Sequence, residues 1–260
     1  MKKLDFYYFS GTGNTYLIVK EMQIFFETHG FEVQLYRIEK SKAANIKPQN
    51  MLGLAFPVAM QSTYKFVWDF LEAIPPIAES QDAFLVDTMA IFSGGVKGPI
   101  YKLLKNKGYN PVGAKEIKMP HNMNLKKPPT KVERKQVKGL NQARKFAHDI
   151  TFGISKWPHL PLPNLMKKIS QSEKVLNFLR DKYELDIDTT KCIKCGLCYK
   201  LCPVDNIVMD HYPEFKDDCQ MCMRCLSFCP TQAIKPDNNN FYPYTAVDSK
   251  ALLQEEEKNV

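Results

Sequence analysis

Apolar positions over the first 120 residues alternate between short unbroken runs and longer stretches with a three-to-four-residue period. Residues 4–9 read as a strand, and residues 14–28 as a helix with Leu17, Ile18, Met22, Phe25 and Phe26 on its apolar face. Gly30 stands where a glycine ends a helix in the left-handed conformation. Further apolar runs at 31–38, 51–56, 83–91 and 111–119 continue the strand series, with helices over 64–73 and 98–107 between them. Pro75 and Pro76 stop the first of these helices. Five strands joined by helical crossovers predict an α/β fold, a doubly wound parallel sheet.

Residues 120–130 hold three prolines and two lysines and read as an irregular connection, after which helical spacing resumes over 132–150 and predicts a helix covering the sheet. Residues 157–163, again with three prolines, read as an interdomain linker, and residues 165–179 as a connecting helix. The resulting division is a first domain over 1–155, a linker and connecting helix over 156–184, a second domain over 185–240, and a tail over 241–260 that ends in an acidic run. A chain of 260 residues suits two such domains. Its 44% hydrophobic and 12% aromatic content excludes wholesale disorder.

Asp5 and the polar residues 10–13 break any secretory h-region, and the best apolar stretch, 51–60, is too short to span a membrane. A cytoplasmic location is therefore expected, with the eight cysteines reduced and available to metal rather than paired as disulfides. Charge is uneven along the chain. Residues 97–182 carry 20 basic and 5 acidic side chains, while residues 1–96 carry 8 and 10 and residues 183–260 carry 8 and 13. A basic middle fits nucleic acid, a membrane surface, an acidic protein partner, or simply solvated lysines on helices.

The cysteines change this picture most. Cys192, Cys195, Cys198 and Cys202 follow the spacing C-x2-C-x2-C-x3-C-P, and Cys219, Cys222, Cys225 and Cys229 repeat it, leaving none over. Pro203 and Pro230 close the runs, and Ile207 and Ile234 each follow four positions later. A cubane iron–sulfur cluster needs a thiolate at each of four corners, and three closely spaced cysteines reach three corners when a tight loop wraps the cube. Paired zinc sites use C-x2-C too, but leave the third cysteine of each run and the closing Cys-Pro unexplained. In bacterial two-cluster ferredoxins, which these runs resemble, the last cysteine of each run ligates the other cluster. That resemblance implies one [4Fe–4S] cluster on Cys192, Cys195, Cys198 and Cys229, and a second on Cys219, Cys222, Cys225 and Cys202. Lys191, Lys194, Lys200 and Arg224 lie among these ligands, placed either to offset cluster charge or to face solvent.

Phe9-Ser10-Gly11-Thr12-Gly13-Asn14-Thr15 falls where the first strand hands over to the first helix, a natural anion site. The loop lacks the lysine of a nucleotide-triphosphate loop and the third glycine of a dinucleotide fingerprint, where this chain has Tyr16. It resembles the T/S-G-T-G-N-T signature of the flavodoxins, a family that binds FMN. On that resemblance Ser10, Thr12, Asn14 and Thr15, with the amides of Gly11 and Gly13, hold the FMN phosphate. The flavin ring is then expected at the loops after the third and fourth strands, 57–62 and 92–98, with Pro57, Phe92, Ser93, Gly94 and Gly95 as contacts. The first of these loops offers Ala59 and Met60 where flavodoxins often place an aromatic, and Phe92 fits a buried strand position as well as a stacking one. His121 and Asn122 follow the fifth strand at the same sheet edge.

Both halves together resemble the flavodoxin–ferredoxin fusion proteins of anaerobic bacteria and archaea, over about 1–150 and 185–236. The resemblance implies a flavodoxin-like domain joined to an α+β two-cluster ferredoxin-like domain, one FMN and two [4Fe–4S] clusters. It implies an electron-transfer protein that passes single electrons between clusters and flavin, with redox partner proteins docking on the basic 97–182 segment. The alternative is an FMN-dependent reductase of a small-molecule substrate, fed by the clusters. No cysteine remains for thiol catalysis, and the basic segment carries no recognisable nucleic-acid-binding motif.

Overall fold

The computed structural model describes residues 1–92, 95–122, 128–158, 172–236 and 242–253. Strands β1 (Lys2–Tyr8), β2 (Phe31–Arg37), β3 (Met51–Pro57), β4 (Asp82–Met89) and β5 (Asn110–Lys118) form one parallel sheet in the order β2-β1-β3-β4-β5. This is the flavodoxin-like doubly wound order, with its switch point between β1 and β3. Central strands are buried on both faces, which is why their sequences read as unbroken apolar runs. Leu4, Phe6 and Tyr8 face α1 (Asn14–Thr28) and α4 (Pro129–Thr151), while Tyr7 and Phe9 face α2 (Lys65–Glu72) and α3 (Lys97–Asn106). The expected strands and helices over 1–119 are all present, within three residues at each end.

Two expectations are corrected. The fourth strand stops at Met89, and Ile91 and Phe92 stand 67% and 56% exposed, so Phe92 is not a buried strand residue. Trp157 is not linker but core. It is 8% exposed, packs edge-on against Tyr101 and donates its indole N–H to the Lys97 carbonyl at 3.2 Å. An aromatic of that size recovers more from burial than the neighbouring prolines lose in regularity. The remainder of 157–163 from residue 159, and the connecting helix as far as residue 171, lie outside the described residues. A helix, α5, does occupy Glu173–Lys182.

The second domain is built twice over. A hairpin of β7 (Ile207–Met209) and β8 (Pro213–Phe215) and an antiparallel pair of β6 (Leu185–Ile187) and β9 (Ile234–Pro236) flank two short helices, α6 (Leu197–Leu201) and α7 (Arg224–Phe228). Residues 242–253, ending in α8 (Ser249–Leu253), run back over the first domain. The Ala246 amide donates to the Thr12 carbonyl at 2.7 Å, and Leu252 is fully buried with Leu201 and Phe228, so this part of the tail staples the domains together.

Part of the basic middle is consumed internally. Lys97 pairs with Glu116 and Arg144 with Glu21, Lys135 donates to the Ala90 carbonyl, and Lys107 donates to the carbonyls of Glu72 and Ile74.

Asp87 on β4 is fully buried, and neither carboxylate oxygen has a hydrogen-bond partner. Burial pushes its pKa well above the ordinary carboxylate value and the charge on Glu116 pushes the same way, while Lys97 pulls it down. The folded protein therefore keeps this proton to higher pH than the unfolded chain does. Its contribution to stability falls as pH rises from the unfolded value of about 4 through the folded one. Asp87→Asn is expected to raise the melting temperature at neutral pH and to flatten that fall. Equal melting temperatures for variant and parent at neutral pH would contradict this.

Candidate functional site

The repeated half-domains carry repeated loops. Lys194 and Gly196 in the first run, and Met221 and Met223 in the second, occupy the left-handed backbone region at equivalent positions. Three of these four are not glycine, and a side chain in that region is strained, so a specific wrapped loop is enforced twice. The wrapping turns amides toward sulfur. Asn206 N–H donates to Cys202 Sγ and Ala233 N–H to Cys229 Sγ, both at 3.2 Å, and Met221 N–H donates to Cys219 Sγ at 3.4 Å. Such bonds stabilise thiolate and cluster sulfur and tune a cluster's potential.

The eight thiols line two separate cavities. Cys202, Cys219, Cys222 and Cys225 line one of about 60 Å³, and Cys192, Cys195, Cys198 and Cys229 line one of about 20 Å³. Burial pushes the Cys222 thiol up to about 12 and Cys198 to about 11, and it pushes Cys225 well above the ordinary thiol value. At Cys229 burial acts upward as well, but hydrogen bonds from the Ala233 amide and the Thr231 hydroxyl outweigh it and hold the thiol low. Cys195 is exposed and Cys222 buried, so the first cavity is the inner one and the second faces solvent. Among the described residues no three His, Cys, Asp or Glu side chains converge closely enough for a single metal ion. Zinc requires thiols to meet at one point, whereas a cubane spreads them over its corners.

A third cavity of about 320 Å³ opens at the carboxyl end of the sheet, within the roughly 300–1,000 Å³ of ligand pockets. Ser10, Gly11, Thr12, Asn14 and Thr15 line one end, and Pro57, Val58, Ala59, Met60 and Tyr64 the loop after β3. Thr88–Ala90 and Met119–Asn122 are the first domain's other lining residues among those described, which puts His121 and Asn122 in the wall. Gly13, with φ of 98°, turns the chain into α1 just behind the cavity. Tyr16 N–H donates to Ser10 Oγ at 3.2 Å, and Thr15 Oγ1 meets Thr88 Oγ1 at 2.8 Å. Asn14 donates to the Pro120 carbonyl at 2.9 Å and accepts from the Tyr244 hydroxyl at 2.7 Å, so its side chain bridges loop, sheet edge and tail. Among the described residues no lysine or arginine lines this cavity, and its polar end is the start of a 15-residue helix with no acidic residue in its first turn. Backbone amides and hydroxyls at a helix N-terminus suit a phosphate.

Of the other expected contacts, Gly95 donates its amide to the Gln61 carbonyl, and neither it nor Phe92 is among the lining residues. Ser93 and Gly94 lie outside the described residues. The far wall has no local signature along the chain. Tyr183, Gln220, Met221 and Met223 of the second domain close it, and all four line the inner cysteine cavity too.

A 4Fe-4S binding domain model matches residues 185–208. Over 57 residues the chain is 35% identical to an uncharacterized ferredoxin of Methanocaldococcus jannaschii, spanning 20% of this chain and 74% of that protein. The chain belongs to the ferredoxins, as a fusion with a flavodoxin-like domain. Iron–sulfur binding and electron transfer follow from that membership. The fusion is also 41% identical over 51 residues to a pyruvate synthase subunit of the same archaeon, covering 18% of this chain and 59% of that subunit. An archaeal-type glutamate synthase of Dehalococcoides mccartyi is 37% identical over 70 residues, and the fusion spans only 13% of its length. Flavodoxin 2 of Bacillus cereus overlays 57% of this chain and 99% of its own at 18% identity and a TM-score of 0.44. Among the described residues no helix is long and apolar enough to cross a membrane.

Proposed function

We propose that this fusion carries two [4Fe–4S] clusters and one FMN, and passes single electrons between an outer cluster, an inner cluster and the flavin. Cys192, Cys195, Cys198 and Cys229 would hold the outer cluster, and Cys202, Cys219, Cys222 and Cys225 the inner one. Ser10–Thr15 would seat the FMN phosphate. When bound, cubanes exchange one electron at a time and a flavin one or two, which lets the pair convert single-electron into two-electron traffic. The observation that carries this reading is the shared wall: Tyr183, Gln220, Met221 and Met223 border the inner cysteine cavity on one side and the flavin cavity on the other. Side chains that border both cavities keep the two groups close. The exposed Cys195 and its neighbour Ile193, 62% exposed, give the outer cluster access to a redox partner protein. The basic segment 97–182, with 20 basic and 5 acidic side chains, offers a second docking face.

A small-molecule reductase is the second reading, favoured by His121 and Asn122 in the cavity wall. Single-turnover oxidation of the reduced protein separates the two. A carrier is expected to reoxidise quickly only with one-electron protein acceptors. Rapid reoxidation by one small compound, abolished when FMN is displaced, would favour the reductase.

A further inference from the structure

Of the four basic residues among the cysteines, Lys191, Lys194 and Lys200 are exposed and Arg224 is 1% exposed. Arg224 stands between Cys222 and Cys225 on α7, yet its side chain reaches into the first domain. Its Nε donates to the Ser10 carbonyl at 2.9 Å, its Nη1 to the Leu201 carbonyl at 3.1 Å and its Nη2 to Glu39 Oε1 at 2.6 Å. The guanidinium also lies over the Phe9 ring, 4.6 Å from its centre. Glu39 Oε1 accepts from Arg37 as well, at 3.0 and 3.1 Å, and Arg37 Nη1 donates to the Leu252 carbonyl of the tail. Two guanidinium groups thus share one carboxylate oxygen. A buried ion network is a poor source of net stability, because desolvation offsets attraction. What it supplies here is a fixed charge and a fixed geometry between two sites.

We propose that Arg224 is a positioning residue for electron transfer, a buried cation that holds the inner-cluster loop against the phosphate loop and raises the reduction potential of the inner cluster. The proposal rests on Cys202, Cys219, Cys222 and Cys225 being the inner cluster's ligands. Reducing that cluster adds one electron and one negative charge without a proton, inside a poorly polarisable interior where a nearby cation counts for more than it does in water. Arg224 lines the inner cysteine cavity together with Cys222 and Cys225, so its charge stands beside the ligands it would act on.

The test is an anaerobic redox titration of the full-length holoprotein followed by electron paramagnetic resonance, with a Cys219→Ala protein identifying which wave belongs to the inner cluster. Arg224→Gln removes the cation and is expected to lower the inner potential. Glu39→Gln removes the opposing charge and is expected to raise it. Arg224→Lys, which keeps the charge and loses the fork, is expected to stay close to the parent. The outer cluster's potential is expected to hold in all three. Loss of packing alone would not shift the two Gln variants in opposite directions. Shifts of the same sign, or none, would overturn the proposal, and should Arg224→Gln fail to fold, an unshifted Glu39→Gln would overturn it alone. A parent protein that shows no second wave would instead count against the ligand assignment.

Discussion

Cys202→Ala and Cys219→Ala are expected to strip the same cluster, each lowering iron from about eight to about four per chain. Cys202 belongs to the first cysteine run and Cys219 to the second, yet both line the inner cavity, while Cys192 and Cys229 share the outer one. Cys192→Ala is expected to remove the other cluster and leave the inner cluster's signal intact. Losing a ligand from an inner site leaves iron under-coordinated where no water or spare thiol replaces it, so the whole cluster is lost rather than weakened. Iron analysis with low-temperature spectra of the three proteins checks this. If Cys202→Ala matched Cys192→Ala instead, each run would be serving its own cluster and the crossing would be wrong.

Gly11→Ala has the next largest expected effect. A Cβ on Gly11 would stand 2.5 Å from the Cys222 carbonyl oxygen, inside any normal contact, and the obstacle is backbone that cannot rotate away. The phosphate loop and the inner-cluster loop must then separate. We expect a loss of about 1–3 kcal/mol in stability, as overpacking brings elsewhere, together with weaker retention of FMN. Gly30→Ala is the control. Its φ of 82° makes it strained, by roughly 1–2 kcal/mol, but nothing lies within 4 Å of the added atom. It should lower the melting temperature and leave flavin content unchanged. Equal flavin loss in both would show that global destabilisation, not the contact, governs retention.

The sheet was readable because parallel strands buried on two faces leave unbroken apolar runs, and because Gly13 and Gly30 bracket α1. The grouping of cysteines was readable because spacing is a local property, stated twice in this chain. What escaped was everything that depends on one domain meeting the other. Arg37 and Glu39 look like ordinary surface charges in sequence, and although Arg224 stands out among the cysteines, nothing local says that Glu39 is buried between two guanidiniums. Trp157 sits beside prolines that signal an irregular segment, and its burial depends on Tyr101 and Lys97, more than fifty residues away in the chain. Tyr244, Ala246 and Leu252 belong to a polar, aperiodic tail whose contacts lie more than two hundred residues back in the chain, on Asn14, Thr12 and Arg37. Strands of three residues in the second domain are too short for any periodicity to register.

One chain is expected to bring together two cubane clusters and a flavin. Anaerobic purification with iron, acid-labile sulfide and flavin assays on the same sample tests it most directly. About eight irons, about eight sulfides and about one FMN per chain are expected. A colourless protein holding zinc, or one with full iron and no flavin after reconstitution with FMN, would contradict it.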